Sequence, residues 1–338
     1  MMHRGEVKNK IECELNHLDS ISTRAETYDL KNQGMSCISF VDPWVKLCWY
    51  KLGDDPDGDC DVSLNSMVYY SLALGCKDRW GIVPQPKRLL NYQLEPREAA
   101  GGSKAGYLLR GDTMNSYATT FHRYLQLLDA ERAPDERLNP TGGTWEEAVL
   151  SNFEAFDQAV SPAACAFIRR VHTIGNMIAV PCLLSESGKE VIASFNAPRY
   201  RRTKDYWDLT LLCICHHYTG QTVGGFTLEW LLPRTADCSL CRAWLDSFGE
   251  GQTGWNHFVE QNLLQDCVNT APGGDYTLPK ELWPGHFTGD ILPNQEQCET
   301  FFANVNSRIA ARGRRMVIKA LETIKAREIP DIAGELLL

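Results

Sequence analysis

The sequence predicts an α+β fold: a mainly helical single domain with a small antiparallel sheet. Three observations lead there. Helix-start signals recur through the second half of the chain. Two short apolar runs, Met177–Leu184 and Val191–Phe195, flank a Ser185–Lys189 turn, which reads as a β-hairpin over about 177–195. No internal repeat or low-complexity tract argues for a solenoid or a disordered array. The 338 residues suffice for one large domain or two ordinary ones. We expect one domain over 37–328, a polar N-terminal extension at 1–36 and a C-terminal tail at 329–338.

The elements follow in order. Trp44–Tyr50 alternates as a strand does, and Val62–Gly75 suits either helix or strand. Segments 95–106 and 131–143 are loops by composition. Asp112 or Thr113 is expected to cap a helix reaching about Ala130. Thr144-Trp-Glu-Glu147 is a capping box for a helix to about Val160. Ser161-Pro162 supplies a cap and a first-turn proline for a helix that Gly175 would close. Pro181 marks the first hairpin strand as an edge. Arg199–Lys204 reads as a basic loop, and Asp205 as the cap of an apolar helix that ends at Gly220. Helices fit 237–248, 254–268 and 294–327, the last opened by Asn294 and Gln297 at capping-box spacing.

Charge and cysteine usage narrow the class. A net charge of −9 argues against a general nucleic-acid coat, though not against a local basic patch. No window reaches the roughly 18 apolar residues of a membrane span, and the N-terminus lacks the apolar core of a secretory signal. The 13 cysteines are odd in number, scattered and often inside apolar runs, as Cys48, Cys213 and Cys267 are. That usage predicts a reduced cytoplasmic protein rather than a disulfide scaffold.

The segment RYRRTKDYWDLTL carries the strongest functional suspicion. Arg199, Arg201, Arg202 and Lys204 precede a helix start, where free N–H groups and the positive dipole end favour an anion. Arg170, His172 and Asn176 precede the hairpin, and Asn196 follows it. A hairpin folding back would gather these around a small anionic ligand, a nucleotide or another phosphate. Asp205 would cap or orient. If phosphoester chemistry follows, His172 or Asp208 is the candidate general base. The structural alternative is a solvated basic loop with His172 as a helix-terminal histidine. The functional alternative is a protein-interaction module docking an acidic partner through 199–204. RNA contact would need a basic face at 308–319 to join that segment, and the acidic total disfavours it.

Other constellations are weaker. Cys213, Cys215, His216, His217, Cys238 and Cys241 imitate a zinc site, but Cys213 and Cys215 stand about 200° apart on a helix. No metal and no cofactor is assigned. Asp54–Asp61 resembles a calcium loop but fails the EF-hand spacing. Ser116 has no nucleophile-elbow context, and Gly101–Gly106 fits neither a Walker nor a dinucleotide fingerprint. Trp255, Phe258, Val259 and Leu263 form a helical core stripe. The aromatic, proline-rich Leu278–Phe287 reads as a packed loop, with a lid or docking surface as the alternative.

The strings RGDTMNSYATTF, HTIGNMIAVP, FNAPRYRRTKDYWDLTLLCI, GWNHFVEQNLLQD and LPKELWPGHF together resemble an uncharacterised bacterial family, a domain of unknown function. The resemblance spans roughly 44–315 as one unit. It implies a bacterial cytoplasmic setting and one continuous domain, and it carries no catalytic residues to transfer. The Cys-x-Cys-His-His run lies within the matching helix but outside the resemblance.

Overall fold

The computed structural model describes residues 82–84, 92–94, 107–115, 118–140, 142, 148, 153–170, 174–184, 190–191, 195–204 and 206–325. The expected strand at 44–50, the segments 54–61 and 62–75 and the capping box at 144–147 lie outside them.

The fold is mainly helical α+β, as expected. Its larger sheet is antiparallel throughout, in the order β1 (Ile82–Pro84), β2 (Tyr92–Leu94), β3 (Tyr107–Thr113), β4 (Met177–Leu184) and β5 (Glu190–Val191). The expected hairpin is β4–β5. Asp112 and Thr113 do not cap a helix; they close β3, paired with Ile178 and Met177. A long cross-strand ladder outweighs a local capping preference. Nor is β4 an edge strand, since β3 and β5 flank it. Among the described residues β5 pairs only with Leu183 and Leu184, so none of them places a strand on that side of Pro181.

Three of the described helices lie between β3 and β4, and the others follow β5. In chain order the helices are α1 (Ala118–Ala130), α2 (Phe153–Ala159), α3 (Pro162–Arg170), α4 (Asn196–Thr203), α5 (Trp207–Thr219), the single turn α6 (Leu228–Leu231), α7 (Ala236–Asp246), α8 (Gly251–Gln261) and α9 (Gln295–Lys325). A small hairpin, β6 (Val268–Thr270) with β7 (Tyr276–Pro279), lies between α8 and α9. The capping box of α9 forms as read: Asn294 and Gln297 exchange backbone-to-side-chain hydrogen bonds of 2.9 and 2.8 Å. Gly220 closes α5 in the left-handed region at φ 68°.

Two corrections concern helix ends. The basic segment is not a loop: Arg199, Arg201 and Arg202 lie within α4, where Pro198 falls in the first turn and its missing N–H is harmless. Gly175 does not close α3, which ends at Arg170; it sits in a 3-10 turn, Ile174–Asn176, pressed against α9. A Cβ there would lie 2.0 Å from the Ile309 carbonyl oxygen and 2.8 Å from the Gly313 nitrogen, so only glycine permits this approach.

Helix α5 divides the core. Trp207, Leu211, Ile214 and Tyr218 join one cluster with Trp244, Trp255 and Phe258. Tyr206, Leu209 and Leu212 join a second with Phe167, Trp283, Phe301 and Phe302. Every residue from Trp207 to His216 is buried. The helix is buried all round from Trp207 to His216, although it carries Asp208, Thr210 and His216.

Gly175→Ala is expected to destabilise the fold by about 1–3 kcal/mol or more, as overpacking does; urea denaturation measures it. A second expectation concerns the thiols. Burial pushes the Cys213 and Cys298 thiols up to about 12 and the Cys215 thiol up to about 11, from an ordinary 9.0. Raised folded values favour the neutral thiol. The associated stability is therefore complete below pH 9.0 and is lost as pH rises through 11 to 12. Melting temperature should fall over that window, and Ellman's reagent should leave these thiols unmodified at neutral pH until denaturant is added.

Candidate functional site

The four cations of the basic segment do not act together. Arg199 is buried, 1% exposed, and its Nη1 donates to the carbonyls of Met114 (3.0 Å) and Lys204 (3.2 Å). Its guanidinium also lies 5.5 Å from the Trp207 ring centre. Arg201 and Arg202 are exposed. Arg202 stands over the Trp230 ring at 5.8 Å, and Lys204 over the Tyr200 ring at 5.9 Å. Helical geometry separates Arg199 from Arg201, because residues two positions apart leave a helix about 200° apart. Glu229, beside Trp230, is already engaged. Its own backbone N–H, then Arg234 and Arg242, hold its carboxyl below the usual carboxylate range.

Arg199 reaches a second group of the suspected residues. Asn176 Oδ1 accepts from the Asn115 backbone N–H (3.0 Å) and Nδ2 (3.1 Å), while Asn176 Nδ2 donates to the Asn115 carbonyl (2.8 Å). The Met114 N–H donates to the Asn176 carbonyl at 2.7 Å. One residue away, Arg312 on α9 donates to the Gly175 carbonyl (2.8 Å) and doubly to the Asn262 carbonyl (3.1 and 3.0 Å). One buried polar network thus ties together the end of β3, the turn before β4, α4, the end of α8, and α9. Asn176 and Arg199 do meet, through Met114 and Asn115. Arg170 ends α3 and Asn196 begins α4, while His172 and Asp205 lie outside the described residues.

Three arginines of the 308–319 face, Arg308, Arg312 and Arg315, are likewise engaged within the protein. Arg308 donates to the Glu281 carbonyl at 2.6 Å, and Arg315 grips the Asp266 carboxylate at 3.1–3.2 Å. That face is neither a simple solvated stripe nor a free cationic surface at these three positions.

Asp208 lies apart from the arginines. It occupies the second position of α5, after the N-cap Tyr206. Its Oδ1 accepts from the Leu209 N–H (3.0 Å); its Oδ2 accepts from the Leu282 N–H (2.8 Å) and meets His286 Nδ1 at 2.8 Å. Asp208 and His286 are both 1% exposed. The His286 ring lies tilted against Trp283 and meets Tyr206 edge-on, with centroids 3.4 and 4.7 Å away. The packed-loop reading of Leu278–Phe287 therefore holds, but its histidine is a site residue that the sequence pattern does not single out. Nothing local links positions 208 and 286.

Among the described residues no group of three His, Cys, Asp or Glu side chains is placed to hold a metal. Cys213, Cys215, Cys238 and Cys241 are buried in the core around α5. Also among the described residues, no helix is long and apolar enough to cross a membrane.

Asn176→Ala should cost about 1–3 kcal/mol, because it leaves buried groups of Asn115 without partners; the midpoint of chemical denaturation reads it. Residues 144–316, just over half of the chain, match the model of a family of unknown function, DUF6994. The Met114–Asn115 segment lies before the matched region yet is hydrogen-bonded into it. No curated protein matches the chain, and no solved structure does. The chain belongs to the DUF6994 family of unknown function.

Proposed function

We propose that this protein binds an anionic, phosphate-bearing ligand of nucleotide type on the open face of α4, through Arg201, Arg202 and Lys204. The observation carrying the reading is the division of labour in the segment. Arg199 is spent as an internal strut, whereas Arg201 and Arg202 are exposed and form no ion pair among the described residues. Tyr200 and Trp230 stand beside these cations and offer stacking surface for a base. The contact is an open patch rather than an arginine-lined pocket, so binding rather than phosphoester chemistry is the activity proposed. Openness favours a second reading, in which α4 docks an acidic segment of a protein partner in a bacterial cytoplasm.

The test is fluorescence anisotropy with a labelled adenine nucleotide and, separately, a labelled polyglutamate peptide, on wild type and Arg201→Ala/Arg202→Ala. Exposed pairs contribute up to about 1 kcal/mol each, so the double variant should lose up to roughly thirtyfold in affinity. Binding should weaken with salt, as exposed charges are screened within about 10 Å at 0.1 M. The fold should be unaffected, within about 0.5 kcal/mol. Nucleotide binding lost in the variant supports the first reading, and peptide binding alone supports the second. Binding of neither removes the patch as an anion site.

A further inference from the structure

The Asp208–His286 pair is not used by the anion-binding reading, and it has a property that a purely structural pair lacks. His286 Nε2 is buried and has no hydrogen-bond partner among the described residues. Native proteins leave few buried polar atoms in that state, and each such atom points to a bound water or another group. His216 also has a buried, unpartnered Nε2, but its Nδ1 meets only the Phe226 carbonyl. His286 alone of the two is held by a carboxylate.

The polarity of the pair is set by Asp208. Its carboxylate already accepts two backbone N–H groups, and a carboxylate has no hydrogen to give, so the shared hydrogen belongs to His286 Nδ1. In the neutral ring with its hydrogen on Nδ1, the lone pair sits on Nε2. A carboxylate-oriented imidazole of this kind takes a proton from a bound hydroxyl group in hydrolytic sites. The surroundings limit the occupant. Tyr206, Trp283 and Phe301 crowd the ring's neighbourhood with aromatic surface, which disfavours a charged ligand. Pro284 and Gly285, immediately before His286, are exposed.

We infer that Asp208 and His286 form a base dyad that binds a water-sized hydrogen-bond donor at His286 Nε2, reached beneath the Pro284–Gly285 turn. Asp208 is the positioning residue and His286 the contacting one.

Two measurements on the wild-type protein test this. Long-range proton–nitrogen spectra of histidine-¹⁵N-labelled protein, assigned with His286→Gln, should show a proton on Nδ1 and a hydrogen-bonded, unprotonated Nε2. Diethyl pyrocarbonate should modify His286 in the native state, more slowly than the exposed His217, as read by peptide mapping. A protonated or bare Nε2 overturns the proposal. So does modification only after unfolding, which would make His286 a sealed structural residue. Asp208→Asn should slow the modification if it folds; the wild-type results decide the matter if it does not.

Discussion

A helix buried on every side dominates this structure. All of α5 from Trp207 to His216 is removed from solvent, with one core on each flank. Burial of this extent supplies the main favourable free energy of folding. It also dictates where polar groups can go. A carboxylate at the second position of such a helix must find donors inside the protein, and Asp208 finds them in the Leu282 amide and His286. The 280–287 segment is thereby fastened to the helix start. Arg308 and Asn304, donating to the Glu281 and Leu282 carbonyls, fasten the same segment to α9.

Long side chains span the gaps between elements elsewhere. Arg199 and Arg312 are nearly fully buried, and both end on backbone carbonyls. The five planar donors of a guanidinium suit that task, because they can satisfy carbonyls from two segments at once. The close approach at Gly175 works with Arg312. The glycine lets the turn touch α9, and the arginine one turn along α9 holds the glycine's carbonyl. The HTIGN and RYRRT strings owe much of their character to this joinery. A cationic motif is thus a compound object here, with one charge for the interior and others for the surface.

Much of the fold was legible because its signals are local. The Asn294–Gln297 box and the Gly220 terminus depend on residues a few positions apart and formed as read, while the hairpin expected over 177–195 pairs Met177–Leu184 with Glu190–Val191 among the described residues. Where local signals misled, a longer-range force prevailed. Asp112 and Thr113 entered a strand because β4 offered them partners, although their side chains suit a helix cap. Residues 199–203 became helical although three of them and the adjacent Lys204 are charged, since one face could pack on α5 and α6.

The sequence by itself determined the mainly helical α+β class, the absence of a long apolar span and the presence of a cation-rich segment. Composition, periodicity and capping chemistry are properties of short stretches of chain. Only the tertiary structure decided which cation is buried, that Asn115 and Asn176 interlock across 61 positions, and that Asp208 meets His286 across 78. Partners so far apart leave no periodicity in a single sequence. Their pairing is fixed by how the cores on either side of α5 close around it.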